Sequence, residues 1–159
     1  MALARTTGDA AIAEHVSLMR EAMLHTLRVD AFTQPVLSGS AAVIDYLSAL
    51  LVHEPVEQIR ILFLNSGNRL ISDETMWRGC VDTAPVYPRE VMRRALELGA
   101  VSLILVHNHP SGDPKPSLTD IRITEDLRQA GTAIGVALLD HLVIARTGHV
   151  SFRAQGLLA

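Results

Sequence analysis

Cysteine is almost absent from this chain of 159 residues, in which Cys80 stands alone. A lone cysteine excludes any disulfide within the chain, and this usage suits a reducing compartment, so we expect a cytoplasmic protein. The sequence offers no activating base near Cys80, and a lone cysteine is more often a small buried hydrophobe than a catalytic thiolate. We therefore do not expect an enzyme that depends on cysteine chemistry.

Long apolar runs are also missing. Residues 1–9 contain no apolar stretch behind a basic one, which is the pattern that a secretory signal requires. The longest uncharged apolar runs, such as residues 101–106, are far too short to cross a bilayer. The sequence therefore predicts neither a membrane span nor a membrane partner.

A surplus of basic residues is the third absence. The 14 lysines and arginines are outnumbered by 17 acidic residues, which gives a net charge of -3. A protein that covers a phosphate backbone usually shows the opposite balance. DNA binding is therefore not supported by the overall charge, and only a local basic face would allow it.

The remaining sequence reads as one α/β domain, because 159 residues with 48% hydrophobic content suffice for a single core. Apolar spacing and turn residues predict helices near residues 12–27, 41–51, 88–98 and 118–130 and strands at 57–64, 69–71, 101–106 and 136–144. We expect the first helix to pack on the domain or on a partner, which leaves the oligomeric state open. The predicted fold is a mixed, curved sheet flanked by helices.

Two histidines follow the buried strand at a spacing that suits a metal ion. Residues i and i+2 of a strand point to the same side, so His107 and His109 can face one point. A loop rich in proline and glycine then allows Asp120 to return to that point. Two imidazole nitrogens and one carboxylate form a ligand set that zinc accepts, with a fourth position open for a reactive water.

The pattern His-x-His-x7-Ser-x2-Asp, filled by His107, His109, Ser117 and Asp120, resembles the motif of the JAMM/JAB (MPN-domain) metalloproteases. The strings LVHNHPSGD at 105–113 and LDH at 139–141 are similar to the bacterial RadC-like branch, historically labelled DNA repair proteins. The resemblance covers residues 35–159 and implies a cytidine-deaminase-like architecture for that domain. Residues 1–34 are then expected to form a helical extension.

The resemblance also implies roles for two further residues. Glu57, at the start of a predicted strand, matches the general acid/base of the family, and Ser117 matches the residue that helps to stabilise the oxyanion. It implies Zn²⁺ as the cofactor, held by His107, His109 and Asp120. A peptide or isopeptide bond in a peptide or protein substrate is the expected target.

Simpler interpretations of the same residues stay open. Ser117 and Asp120 also fit a helix start, in which the serine caps the backbone and the aspartate favours the helix dipole. Glu57 could be a solvated charge at a strand edge. Asp140 and His141 could orient a metal ligand or simply form a polar strand face.

Two other function classes compete with the hydrolase. The string His107-Asn108-His109 invites an HNH nuclease interpretation, but those nucleases take their residues from separated positions, so the match lacks its structural context. The alternative from a different class is a DNA-repair-associated or DNA-binding module that retains the metal site without turnover. Such a module should bind DNA with steep salt dependence and should keep its affinity after Glu57→Gln.

Overall fold

The computed structural model describes residues 10–79 and 86–158, so the predictions made for residues 1–9 and for Cys80 lie outside the described residues. Helix and strand bounds within these ranges are as follows: α1 Ala10–Phe32, α2 Ala41–Leu51, β1 Glu57–Leu64, β2 Leu70–Gly79, α3 Pro88–Leu98, β3 Ser102–His109, α4 Leu118–Ile134, β4 Ala137–Ala145 and β5 Gly148–Ser151. The described segments therefore contain both helices and strands, as the sequence predicts.

Five strands form one sheet in the order β2-β1-β3-β4-β5. β1 runs antiparallel to both β2 and β3, β3 and β4 are parallel, and β4 and β5 are antiparallel. The parallel pair requires a crossover connection, and α4 provides it. The predicted mixed sheet flanked by helices is thus confirmed, and β3, which carries both histidines, lies at its centre.

Each face of the sheet is covered by helices, which explains why the central strands are apolar at almost every position. Leu103 and Leu105 of β3 contribute to a core that includes residues of α3 and α4. Ile104 and Val106 contribute to a second core on the other face, with residues of α2. Because side chains alternate along β3, His107 continues the row of Leu103 and Leu105 and faces α4.

Some predicted bounds were wrong. The strand that follows β1 is not the short segment 69–71 but the ten-residue β2, whose half-polar pattern suits the edge of a sheet. The buried strand does not end at Val106 but continues through His109. Both histidines therefore lie on the strand itself.

The helix that begins after Ser117 does not end at Gly131, as the sequence suggested, but continues to Ile134 and closes at Gly135. Gly135 has φ of 77°, and the backbone N–H of Val136 donates to the carbonyl of Gly131 over 2.9 Å, which is the Schellman closure. A Cβ atom on Gly131 would lie 2.2 Å from the carbonyl oxygen of Val136. Glycine is thus required at this position for close approach rather than for a helix stop.

α1 packs on α2 and leaves most of its own surface exposed, including the apolar side chains of Ile12, Met19 and Met23. The division into residues 1–34 and 35–159 stays a prediction. Across the described parts of the chain, none of the helices combines the length and the apolar character that a bilayer crossing demands.

Candidate metal centre

Three ligand atoms converge where β3 ends and α4 begins. The Nε2 atoms of His107 and His109 are 2.9 Å apart, and they lie 3.3 and 3.4 Å from the two carboxylate oxygens of Asp120. Among the described residues, these three form the group whose ligand atoms could hold a metal ion. His107 and Asp120 are buried, whereas His109 is partly exposed, so the site is open on one side.

The separations suit a tetrahedral cation. Ligands at about 2.0–2.1 Å from a tetrahedral zinc are about 3.3 Å from each other. The observed separations are 2.9 Å between the two Nε2 atoms, 3.3 Å from His107 Nε2 to Oδ1 of Asp120 and 3.4 Å from His109 Nε2 to Oδ2, so each is close to the edge of such a tetrahedron. The residues therefore fit a divalent cation such as zinc, with a free corner towards solvent.

The loop after β3 orients His109. Its Nδ1 atom lies 2.8 Å from the backbone carbonyl oxygen of Asp113, which can only accept a hydrogen bond. Nδ1 therefore carries the proton, and Nε2 of the neutral ring presents its lone pair to the site. This is the arrangement that a metal-binding histidine commonly takes.

Ser117 and Asp120 form a complete capping box at the start of α4. The Ser117 hydroxyl accepts from the backbone N–H of Asp120 over 3.1 Å and donates to Oδ2 of Asp120 over 2.7 Å, while the backbone N–H of Ser117 donates to the same oxygen. The capping interpretation is thus confirmed. Because the cap fixes the Asp120 carboxylate, it also directs that side chain at the two histidines.

The charges of the site favour a cation. Burial by itself would raise the pKa of Asp120, but the adjacent imidazoles of His107 and His109 and the hydrogen bond from Ser117 outweigh it and hold that pKa well below its usual range. The adjacent Asp120 carboxylate raises the pKa of His109, against the opposing effect of burial. Asp120 is therefore an anion over the ordinary pH range, as a metal ligand must be.

Behind His107 lies a second buried histidine. Nε2 of His141 is 2.7 Å from Nδ1 of His107, and Nδ1 of His141 is 2.6 Å from the hydroxyl of Thr124. Burial lowers the pKa of His141 well below its usual value. His141 thus contacts a ligand directly, which is one of its two predicted roles. Sequence reasoning missed Thr124, although its position one helical turn after Asp120 was a signal.

Asp140, unlike His141, does not contact a candidate ligand but hydrogen-bonds to the segment around β5. One of its carboxylate oxygens accepts from the backbone N–H groups of His141 and Arg153, at 2.7 and 3.0 Å, and the other accepts from the Ser151 hydroxyl at 2.6 Å. The side chain therefore fixes the segment after β5 against β4. It does not contact any of the three ligand residues.

Asn108 points away from the two histidines and holds the start of β1. Its Oδ1 atom accepts from the backbone N–H of Gln58 over 2.8 Å, and its Nδ2 atom donates to the carbonyl of Val56 over 3.2 Å. These two bonds bracket Glu57. Only the tertiary structure assigns Asn108 this role.

Glu57 is half-buried and lines a cleft of about 450 Å³ together with His109, Pro110 and Ser111. Its charge acts on His109. Within residues 10–79 and 86–158, no ion pair or hydrogen bond engages the Glu57 carboxylate. Two other glutamates near β1 and β2 differ in this respect, because Glu54 pairs with Arg78 at 3.0 Å and Glu74 pairs with Arg94 at 2.7 Å.

Comparisons with known proteins agree with the motif. A family model described as the RadC-like JAB domain matches residues 37–157. A UPF0758 protein of Rhodobacter capsulatus is 50% identical over 148 residues, which cover 93% of this chain and 69% of that relative. A UPF0758 protein of Ruegeria pomeroyi is 46% identical over 159 residues, which cover 99% of this chain and 70% of that relative. Neither name specifies an activity.

Proposed function

Because this chain belongs to the RadC-like JAB domain family, we propose that it is a zinc-dependent hydrolase of peptide or isopeptide bonds. The observation that carries the proposal is the convergence of His107, His109 and Asp120 beside a cleft that also contains the carboxylate of Glu57, which pairs with none of the described residues. A site that only held a structural metal would be closed by a fourth protein ligand. The described residues include no fourth His, Cys, Asp or Glu within this ligand group.

Zinc in this site would supply Lewis acidity, which makes water a nucleophile near neutral pH and polarises a substrate carbonyl. Glu57 takes the proton from the attacking water and delivers it to the leaving nitrogen. Its carboxylate suits this task because no arginine or lysine of the described residues neutralises it, and it lies on the same cleft as His109. Asn108 keeps it there by holding the backbone on both sides.

Ser117 assists where charge develops on the carbonyl oxygen. In the present arrangement its proton is donated to Asp120, so the hydroxyl must rotate before it can donate to a substrate oxygen. The backbone N–H of Ser117 stays with Asp120 during this rotation and keeps the carboxylate in place. Ser117 thus alternates between a cap and an oxyanion donor.

The cleft supports an extended polypeptide as substrate. Its volume of about 450 Å³ accommodates a few residues rather than a folded domain. Pro110 lines it with an apolar side chain and Ser111 with a polar one. An amide carbonyl placed beside His109 would have Glu57 within the same cleft. This location of the base beside the ligands is what amide hydrolysis requires.

The first experiment measures metal content and turnover together. Elemental analysis after mild dialysis should find about one zinc per chain in the wild type and in Glu57→Gln, and none in His109→Ala. Peptide hydrolysis, followed by mass spectrometry on a peptide mixture, should be lost in both variants. Matched controls are His25→Ala and Glu14→Gln, which remove an exposed histidine and an exposed glutamate of α1.

Three outcomes would contradict the proposal. A wild-type chain that binds no zinc, even after zinc is added, would refute the hydrolase. Full turnover in Glu57→Gln would refute the role of the base. An affinity for DNA that falls steeply with salt and survives Glu57→Gln, with no peptide cleaved, would favour a binding module instead.

A further inference from the structure

A buried chain of hydrogen bonds connects the backbone of α4 to His107. The Thr124 hydroxyl is 2.6 Å from the backbone carbonyl oxygen of Asp120 and 2.6 Å from Nδ1 of His141. Nε2 of His141 is in turn 2.7 Å from Nδ1 of His107. This series of hydrogen bonds therefore starts at the candidate ligand residue Asp120 and ends at the candidate ligand residue His107.

The carbonyl at one end determines the direction of every bond. A carbonyl oxygen can only accept, so the Thr124 hydroxyl donates its single proton to Asp120. The hydroxyl oxygen must then accept from Nδ1–H of His141. In a neutral ring the other nitrogen, Nε2, has no proton and accepts from Nδ1–H of His107. Nε2 of His107 consequently presents a lone pair to the site.

His141 must be neutral for this order of hydrogen bonds, and its surroundings favour that form. Its exposure is 1%, and its ring stacks on Phe152 with 4.4 Å between the ring centroids. Neither of its ring nitrogens contacts a carboxylate. Burial without a charged partner disfavours an imidazolium, so the His141 ring carries a single proton. The hydrogen bonds described above place that proton on Nδ1.

We propose that Thr124 is a positioning residue for the metal centre: through His141 it fixes the tautomer in which His107 directs a lone pair at the metal. The proposal rests on the proposed function, because it assumes that a metal binds at the triad. Without the hydroxyl, His141 could place its proton on Nε2 instead. His107 would then accept at Nδ1 and point an N–H at the site, which excludes a cation.

The first test compares zinc dissociation constants, measured by competition with a chelator of known affinity. Thr124→Val keeps the shape of the side chain and removes the hydroxyl, and it should weaken zinc binding by about 10–100-fold, the usual effect of losing a partner of a metal ligand. Thr124→Ser restores the hydroxyl and should restore the affinity. The matched control is Thr132→Val on the same helix, whose hydroxyl donates to the carbonyl of Arg128 over 2.8 Å without contacting a histidine.

A second test needs no variant and therefore does not depend on the folding of Thr124→Val. Long-range ¹⁵N–¹H correlation spectra of the wild-type protein report which ring nitrogen of each histidine carries the proton. His141 should carry it on Nδ1 in both the zinc-free and the zinc-loaded protein. A proton on Nε2 of His141, or a folded Thr124→Val that binds zinc as tightly as the wild type, would overturn the proposal.

The two proposals fail in different ways. If the wild-type chain binds no zinc, the proposed function fails, yet the spectrum of the zinc-free protein still shows whether His141 has the expected tautomer. If zinc binds tightly but His141 has the other tautomer, the hydrolase proposal stands and the role of Thr124 is refuted.

Discussion

Replacing Asn108 by alanine removes both hydrogen bonds that hold the start of β1 against β3. The Asn108 side chain is 2% exposed and Gln58 is 6% exposed, so water cannot readily replace the lost partner of the Gln58 N–H. The carbonyl of Val56, bonded at 3.2 Å, is closer to solvent and loses less. Leaving a buried donor or acceptor without a partner costs about 1–3 kcal/mol, so we expect Asn108→Ala to lower the free energy of unfolding by about 2–4 kcal/mol.

Asn65→Ala is the matched control, because Asn65 also makes two side-chain bonds to backbone groups. It accepts from the N–H groups of Gly67 and Arg69, at 2.9 and 3.0 Å, in an exposed turn where water can replace it. We expect this variant to lose at most about 1 kcal/mol. The comparison therefore separates the effect of burial from the number of hydrogen bonds.

Urea unfolding followed by circular dichroism measures both variants. For a domain of this length a loss of about 2–4 kcal/mol corresponds to a melting temperature lower by about 5–15 °C. Equal losses in Asn108→Ala and Asn65→Ala would refute the reasoning. Zinc content should stay at the wild-type level in Asn108→Ala, because the Asn108 side chain faces away from the ligands. Turnover should fall, because Glu57 is no longer held.

Two further predictions concern stability. Gly131→Ala should destabilise the protein by more than about 1 kcal/mol, because the new Cβ atom would lie 2.2 Å from the Val136 carbonyl oxygen. The control Gly39→Ala, whose Cβ atom would have no atom within 4 Å, should be neutral or slightly stabilising. Thermal unfolding measures both variants, and equal melting temperatures would contradict the close approach at Gly131. Burial and the nearby Asp73 raise the pKa of Tyr46 to about 12. Because that folded pKa lies above the unfolded value of about 10, its contribution of about 2–3 kcal/mol is present below pH 10 and is lost as the pH rises towards 12. Urea unfolding between pH 9 and 12 should therefore show a steeper loss in the wild type than in Tyr46→Phe, and parallel curves would contradict it.

The periodicity of the sequence predicted much of the fold. Alternation along β1, the continuous apolar run of β3 and the spacing of apolar residues in α3 are local features, so those elements were correct to within a few residues. β2 was mostly missed because this edge strand is only partly buried along its length, so its residues follow a half-polar pattern. Gly131 was read as a helix stop because a glycine needed for close packing looks the same in sequence as one needed for a positive φ.

The sequence by itself predicted which three residues lie together at the candidate metal centre. Residues two apart on a strand share a side, and a serine and an aspartate three apart form a capping box, so His107, His109 and Asp120 are positioned by local rules and by the family motif. The resemblance to the RadC-like JAB domain, stated from the same residues, is confirmed. The roles of Glu57 and Ser117 stay predictions that turnover must test.

Only the tertiary structure decided what surrounds the ligands. Thr124 and His141 come from different elements, and their contact with His107 depends on how α4 lies across β3 and β4. Asn108 reaches the backbone of β1 because the two strands are paired with Ile59 opposite His107. No local pattern fixes the packing angle of a helix on a sheet or the register between distant strands, because both depend on contacts between residues far apart in the chain.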